Sequence, residues 1–429
     1  MANHDSETAY REALARRGPF PDGFSAATTH ITFTADERPG DAPYRMNLAL
    51  IAAEEPTDAF AAVFTRNAFP GAPVVLGRRH LAEPTLQGVL VNNRISNVCS
   101  PTGLEDAELL AADAGRLVGG NGSEGAPFLS MSTGVIGWAL PVDRMRAAIP
   151  DLVDALGSAD PPEVAEAIMT TDSFPKVQSV DLGEGRIVGV AKGAGMVEPN
   201  LATMLAFITT DLDVERNALR EDLAAVVAET FNTISIDGDQ STSDTVLAWS
   251  SRRKTAVPRE RFREALRQVC AGLADDIVRN GEGVGHVLRV RVYGAARRAD
   301  ALLLGKAVCN SPLVKTAVYG NDPNVGRIIA ALGDAAGNNS IVIDAGRMTV
   351  SLGAETIFRD GVFHLDRDKE ARLCEYLADT GMDPGVEGFP QHERVVEIAV
   401  DLRAGCEEAT VLGTDLTHDY IRKNADYRT

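Results

Sequence analysis

The sequence has little of several things, and each shortage narrows what the chain can be. It has five cysteines, Cys99, Cys270, Cys309, Cys374 and Cys406, an odd number with no C-x-x-C pair. That excludes a dense disulfide framework and suits free thiols, mostly in the core, in a reducing cytoplasm. Aromatic residues make up only 5% of the chain. Basic residues number 42 against 61 acidic ones, a formal net charge of −19. Such a balance repels phosphate backbones and anionic lipid, so neither nucleic acid nor a membrane surface is the expected partner. No apolar run approaches the ~20 residues of a membrane span. The N-terminus, MANHDSETAYREALARRGPF, lacks the basic-then-apolar order of a secretory signal.

Common catalytic signatures are missing as well. Lys192 follows Ala191 and precedes Gly193, which fails the P-loop pattern. The GEGVGH run, 281–286, lacks the last glycine of a dinucleotide fingerprint and precedes a strand pattern. The seven histidines are scattered without metal-ligand spacing, so no metal is expected. No G-x-S-x-G elbow is present. The polar run IDGDQSTSD, 236–244, lacks the glutamate of a calcium loop and reads as a cluster of turns.

What is present is an alternation of helix and strand patterns over 429 residues, enough for about two to three domains or one two-lobed unit. EDAELLAADAGRL, 105–117, has helix-forming composition. Leu219, Leu223, Val226, Val227 and Phe231 share one helical stripe, and Phe262, Leu266, Val269, Leu273 and Ile277 share another. Pro258 suits the start of the second helix, and Asn280 with Gly281 its end. HVLRVRVYGA alternates as a half-buried strand, and RVVEIAVDL is another. TIFRDGVFHL reads as a hairpin turning at Asp360-Gly361, and NSIVIDAGRMTVSLGAE as two strands around Gly346. Locally paired strands among helices favour an α+β architecture of layered sheets over a doubly wound parallel sheet.

One stretch asks for more than a structural reading. KGAGMVEPNLATMLAF, 192–207, places two glycines, a proline and an asparagine before an apolar run, with Thr203 at the junction. A hydroxyl is a weak nucleophile without a base. An N-terminal threonine supplies its own base, because an α-amine titrates near ~7.7–8.0. Thr203 would gain that amine only if the chain were cut after Ala202. Its own hydroxyl could make the cut, through an ester at the Ala202 carbonyl that water then hydrolyses. Gly193, Gly195 and Pro199 permit the bend such an attack needs.

The same stretch closely resembles the self-cleaving segment of the ornithine acetyltransferase family, also called glutamate N-acetyltransferases. Further pieces lie in family order along nearly the whole chain. They include AAVFTRNAFPGAPV, STGVIGWALPVDRM, AIMTTDSFPK, TFNTISIDGDQSTSDT, IVRNGEG, NSPLVKTAVYGNDPNVGRI and DLTHDYIRKNADYRT. The resemblance implies a two-lobed layered α+β (α/β) fold of that type, autoprocessed into two associated chains: an alpha fragment, 1–202, and a beta fragment, 203–429. It implies cleavage between Ala202 and Thr203, Thr203 as nucleophile, and an oxyanion hole at Thr133 and Gly134. It assigns substrate contacts to Thr170, Lys192, Thr203, Glu282, Asn424 and Thr429, with Lys192 toward a carboxylate and Glu282 toward an amine. The implied reaction is ping-pong transfer of acetyl from N-acetylornithine to glutamate, part of arginine biosynthesis. No prosthetic group or metal is needed, and acetyl-coenzyme A is an alternative donor in some relatives. The usual assembly is a cytoplasmic heterotetramer of two alpha and two beta fragments.

The sequence departs from the family pattern in four places. Arg94 and Pro101 stand in a loop where small residues are usual. EGVGH brings His286 in place of a lysine-bearing run. Val325 stands where tryptophan is common, and Ser243 where asparagine is. If these loops face substrate, the acyl amino acid differs and the chain is a diverged acyltransferase or amidase. An idle scaffold is the remaining reading.

Overall fold

The computed structural model describes residues 4–119, 127–198 and 204–426. The described residues fold as α+β around three sheets. The first runs Phe24–Phe33, Tyr44–Thr57, Leu86–Asn92 and Phe128–Ser132, antiparallel until its last, parallel pair. The second runs Phe60–Phe64, Thr245–Lys254, Leu205–Leu212, Gly185–Lys192 and Lys176–Leu182. Only the pairing of Thr245–Lys254 with Leu205–Leu212 is parallel there. The third has seven strands, with Val287–Ala295 between Val396–Asp401 and Glu407–Thr414. The mixed pairing bears out the α+β expectation.

The strand Leu205–Leu212 explains the stacking of the first two sheets. All eight of its residues are buried, as an apolar run covered on both faces requires. Leu205 and Phe207 pack with Phe60 and Trp249 against the four-stranded sheet. Ala206 and Ile208 face the other way, into helices Arg216–Glu229 and Arg259–Arg279. Both predicted helical stripes are buried in that layer, and Pro258 and Asn280 flank the second helix as its caps. Helices Gly103–Val118 and Val142–Asp154 cover the far face of the first sheet. The seven-stranded sheet forms a second lobe, covered on one face by Arg298–Asn310, Val325–Asn338 and Arg367–Thr380. Its other face carries the half-exposed pairs Arg289–Glu397 and Arg291–Glu408.

The hairpin forms as expected, with Asp360 and Gly361 both at positive φ, 51° and 76°, the geometry of a two-residue I′ turn. The strand expected before Gly346 does not form. Ile341 and Ile343 dock on the core from irregular chain, and Asp344 accepts from Gly346 N and Met348 N, which closes a turn. Of the cysteines only Cys270 and Cys309 are core thiols, while Cys99 and Cys406 are exposed. No helix among the described residues is long and apolar enough to cross a membrane.

The lobes do not divide at 202/203. The five-stranded sheet interleaves strands from both sides of that point, with Ile187–Lys192 hydrogen-bonded along Leu205–Thr210 and Phe60–Phe64 along Thr245–Trp249. A chain severed between Val197 and Met204 is therefore expected to stay together. Its two pieces should co-elute in size exclusion under native conditions and separate only in denaturant; elution as two independent species in native buffer would contradict the interleaving.

Candidate active site

The candidate residues come from separate elements. Thr133 and Gly134 directly follow the Phe128–Ser132 strand. Thr170 and Asp172 lie between helix Pro161–Ala167 and strand Lys176–Leu182. Lys192 ends its strand and pairs with Leu205. Glu282 follows helix Arg259–Arg279, and Asn424 lies on the C-terminal helix His418–Asp426. Ala202, Thr203 and Thr429 lie outside the described residues.

The fold joins the described ones into one connected cluster. Lys192 Nζ donates to Thr133 Oγ1 at 2.9 Å. A cation donating to that oxygen leaves the hydroxyl proton available to donate elsewhere. Beside it, Gly134 has φ 126°, and a Cβ there would lie 2.2 Å from the Arg94 carbonyl carbon. Only glycine fits this approach, and no described residue accepts from the Gly134 N–H. Glu282 N donates to Ala194 O at 2.8 Å, while Asn424 Nδ2 donates to Glu282 Oε2 at 2.8 Å. A Cβ on Gly195 would fall 2.5 Å from the Glu282 carboxylate carbon, so glycine lets that carboxylate lie against the loop.

The centre of the cluster is a residue the motif reading passed over. Asp172 Oδ1 accepts from Lys176 Nζ at 2.6 Å and from Gly193 N at 2.7 Å, and its Oδ2 accepts from Thr170 N at 3.1 Å. The Asp172 and Lys176 side chains have no solvent exposure. Burial alone would raise the Asp172 pKa. The charges of Lys176 and Lys192 and the bonds from Gly193 and Lys176 outweigh it, and the pKa falls to about 2. Lys176 Nζ also donates to Asn280 Oδ1 at 2.6 Å. Lys192 is shifted down by burial, against the pull of Asp172, Asp244 and Glu282. Both Asp172 and Lys176 stand in the MTTDSFPK motif, and their spacing of four was the available signal.

The polar run at 236–244 is a turn cluster with a further task. Asp237 accepts from Met196 N at 2.6 Å and Val197 N at 2.8 Å, and Val197 bridges Gln240. Glu198 N donates to Asp239 O at 3.0 Å, and Ser235 Oγ donates to Glu198 Oε2 at 2.7 Å. These contacts clamp the chain just ahead of Pro199. Among the described residues no three His, Cys, Asp or Glu side chains gather as a metal site.

One of the four departures is a packing feature. Val325 is buried in the core of the second lobe. Ser243 is buried, its N–H bonded to Ser241 Oγ at 3.2 Å. His286 is also buried; its Nδ1 lies 2.8 Å from Asp415 Oδ2 and its Nε2 3.1 Å from Leu377 O, although it borders a cavity of about 510 Å³. Arg94 adopts φ 82° and sets its guanidinium 5.1 Å from the centre of the Tyr44 ring. Its carbonyl accepts from Val135 N, so the departure that touches the cluster does so through backbone.

The fold and the cluster define a layered α+β chain whose polar groups converge on one loop between paired strands. The chain belongs to the ArgJ family, whose sequence profile matches residues 33–429. It is 36% identical over 432 residues to the "Arginine biosynthesis bifunctional protein ArgJ" of Rhodococcoides fascians, covering 100% of this chain and 98% of that protein. It is 39% identical over 382 residues to the "Glutamate N-acetyltransferase" of Methanothermobacter thermautotrophicus, covering 86% and 90%. A crystal structure of the Bacillus halodurans ArgJ protein aligns with TM-score 0.46 at 33% identity, over 52% of this chain and 100% of that one.

Asp172→Asn leaves Lys176 buried and uncompensated, which is expected to cost about 3–5 kcal/mol. Urea unfolding reads it, and Asp172→Asn/Lys176→Met should recover part of the loss. The sign with pH follows from the depressed pKa. The Asp172 contribution is complete above about pH 4 and is lost as pH falls toward 2. Stability of the parent chain should therefore decline more steeply over that window than that of Asp172→Asn; parallel declines would show that the carboxylate is not held as described.

Proposed function

We propose that this chain is a ping-pong N-acyltransferase that cuts itself between Ala202 and Thr203 and then moves an acetyl group from N-acetylornithine to glutamate. The hydrogen bond from Lys192 to Thr133, set beside the open N–H of Gly134 and the start of the Leu205–Leu212 strand, supports this reading most directly. In this reading Thr133 and Gly134 are the two oxyanion donors, joined through Lys192 to the strand end from which the chain runs on toward Thr203. The matches to proteins named for arginine biosynthesis and glutamate N-acetylation support the substrate pair.

In this mechanism the Thr203 hydroxyl attacks the acetyl carbonyl, and its proton passes to the α-amine of the same residue. Thr133 Oγ and Gly134 N donate to the oxyanion. The intermediate collapses, ornithine leaves with the proton, and an acetyl-Thr203 ester remains. The glutamate amine attacks that ester and gives up a proton, which returns through the α-amine to Thr203 Oγ as N-acetylglutamate departs. Lys192, Glu282, Thr170, Asn424 and Thr429 hold the amino-acid portions. Nucleophile and base come from one residue, so neither metal nor prosthetic group takes part, and acetyl-coenzyme A is a second possible donor. The 1–202 and 203–429 fragments stay associated, two of each in a cytoplasmic heterotetramer.

Purified protein should run as two fragments, the second with Thr at its N-terminus, while Thr203→Ala stays whole; a single intact wild-type band would falsify the reading. Thr133→Val should lower kcat roughly 10²–10³-fold with little change in KM, measured as N-acetylglutamate formed from N-acetylornithine and glutamate. Turnover with another acyl amino acid but none with this pair would keep the chemistry and replace the substrate.

A further inference from the structure

A second cavity, of about 420 Å³, lies where the N-terminal helix Glu7–Ala15 meets strand Lys176–Leu182 and the end of helix Arg259–Arg279. Its size falls in the range of small-molecule sites. Two buried acceptors line it. Asp276 is 4% exposed, and its Oδ2 takes the Gln178 amide at 2.6 Å. Burial, with the charge of Asp275, pushes its pKa up to about 7 against the Gln178 bond. His392 is 8% exposed. Its Nε2 faces Gly381 O at 2.9 Å and so carries the proton, which leaves Nδ1 an acceptor. That Nδ1 is buried with no hydrogen-bond partner, an arrangement that costs about 1–3 kcal/mol unless something donates to it. Burial lowers the pKa of this ring, consistent with a neutral imidazole.

The rim carries charge of both signs. Arg16 is exposed and Arg17 half-buried, and both border the cavity. Their guanidinium groups suit a carboxylate. Glu393, also exposed, borders the cavity too, so the cavity offers acceptors at its floor and two guanidinium groups beside one carboxylate at its rim. None of the proposed catalytic residues lines it.

We propose that this cavity is a second ligand site, taking a small zwitterion whose N–H donors reach Asp276 and His392 while its carboxylate meets Arg16 and Arg17. A ligand of this kind supplies the donor that His392 Nδ1 lacks. It also places a cation beside Asp276, which then binds as a carboxylate. Arg279 joins the floor to its surroundings, since its guanidinium donates to His392 O at 2.8 Å and pairs with Asp275 at 2.6 Å.

The test is calorimetric titration of the full-length protein with L-lysine, L-arginine and L-citrulline. Cadaverine, which lacks the carboxylate, and adipate, which lacks the amine, are the comparators. At least one zwitterion should bind saturably, and at least tenfold more tightly than either comparator. Asp276→Asn/His392→Phe should weaken that binding at least tenfold, whereas Glu282→Gln in the catalytic cluster should leave it in place. Arg17→Ala, a change at the rim, should weaken it as well and decides the matter if the double variant fails to fold. Absence of binding by all three zwitterions overturns the proposal. So does binding that survives the floor and rim variants, or that disappears in Glu282→Gln.

Discussion

Asp172 holds a charge where there is no water to solvate it. It can do so because Lys176, the Gly193 N–H and the Thr170 N–H all converge on its two oxygens. Each partner belongs to a different piece of the polar cluster. Lys176 begins a strand of the five-stranded sheet and reaches Asn280 at the end of a long helix. Gly193 opens the loop that leads toward Thr203. Thr170 is a proposed substrate contact. A buried pair of this kind adds little net stability. Its stronger effect is positional, because moving any one partner leaves a buried charge or donor unmet.

The sheet supplies the complementary constraint. Lys192 and Leu205 are register partners on neighbouring strands, so the loop between them begins and ends at adjacent points. Asp237 and Asp239 then bond the backbone ahead of Pro199. The described part of the loop, Gly193 to Glu198, is thereby held at both of its ends. The same interleaving means that the core would not be divided by a cut in this loop. Helices and sheet strands from both sides of it share one apolar layer.

Much of this was legible in the sequence where a residue's role is local. The helical stripes, the Asp360-Gly361 hairpin and the α+β mixture follow from periodicity and turn chemistry. Thr133, Gly134, Lys192, Glu282 and Asn424 were named through family motifs, and the fold joins them. What stayed hidden depends on contacts distant in sequence. Asp172 reads as one acidic residue in a motif until Gly193 and Lys176 are seen against it. Val325 read as a substrate-facing change, although it fills a core. The β-branched run before Gly346 has strand composition but pairs with no described strand, and its isoleucines pack partly buried against the core from irregular chain instead. His392 and Asp276 carry no motif, and only the folded chain places both beside one cavity.

The proposed reaction turns on one covalent species, an acetyl ester on Thr203. Incubation of the purified protein with N-acetylornithine in the absence of glutamate, followed by intact-mass and peptide mapping, tests it directly. The predicted result is one added acetyl group on the N-terminal residue of the 203–429 fragment, discharged when glutamate is supplied. An unmodified fragment, or an acetyl group carried elsewhere, would contradict it.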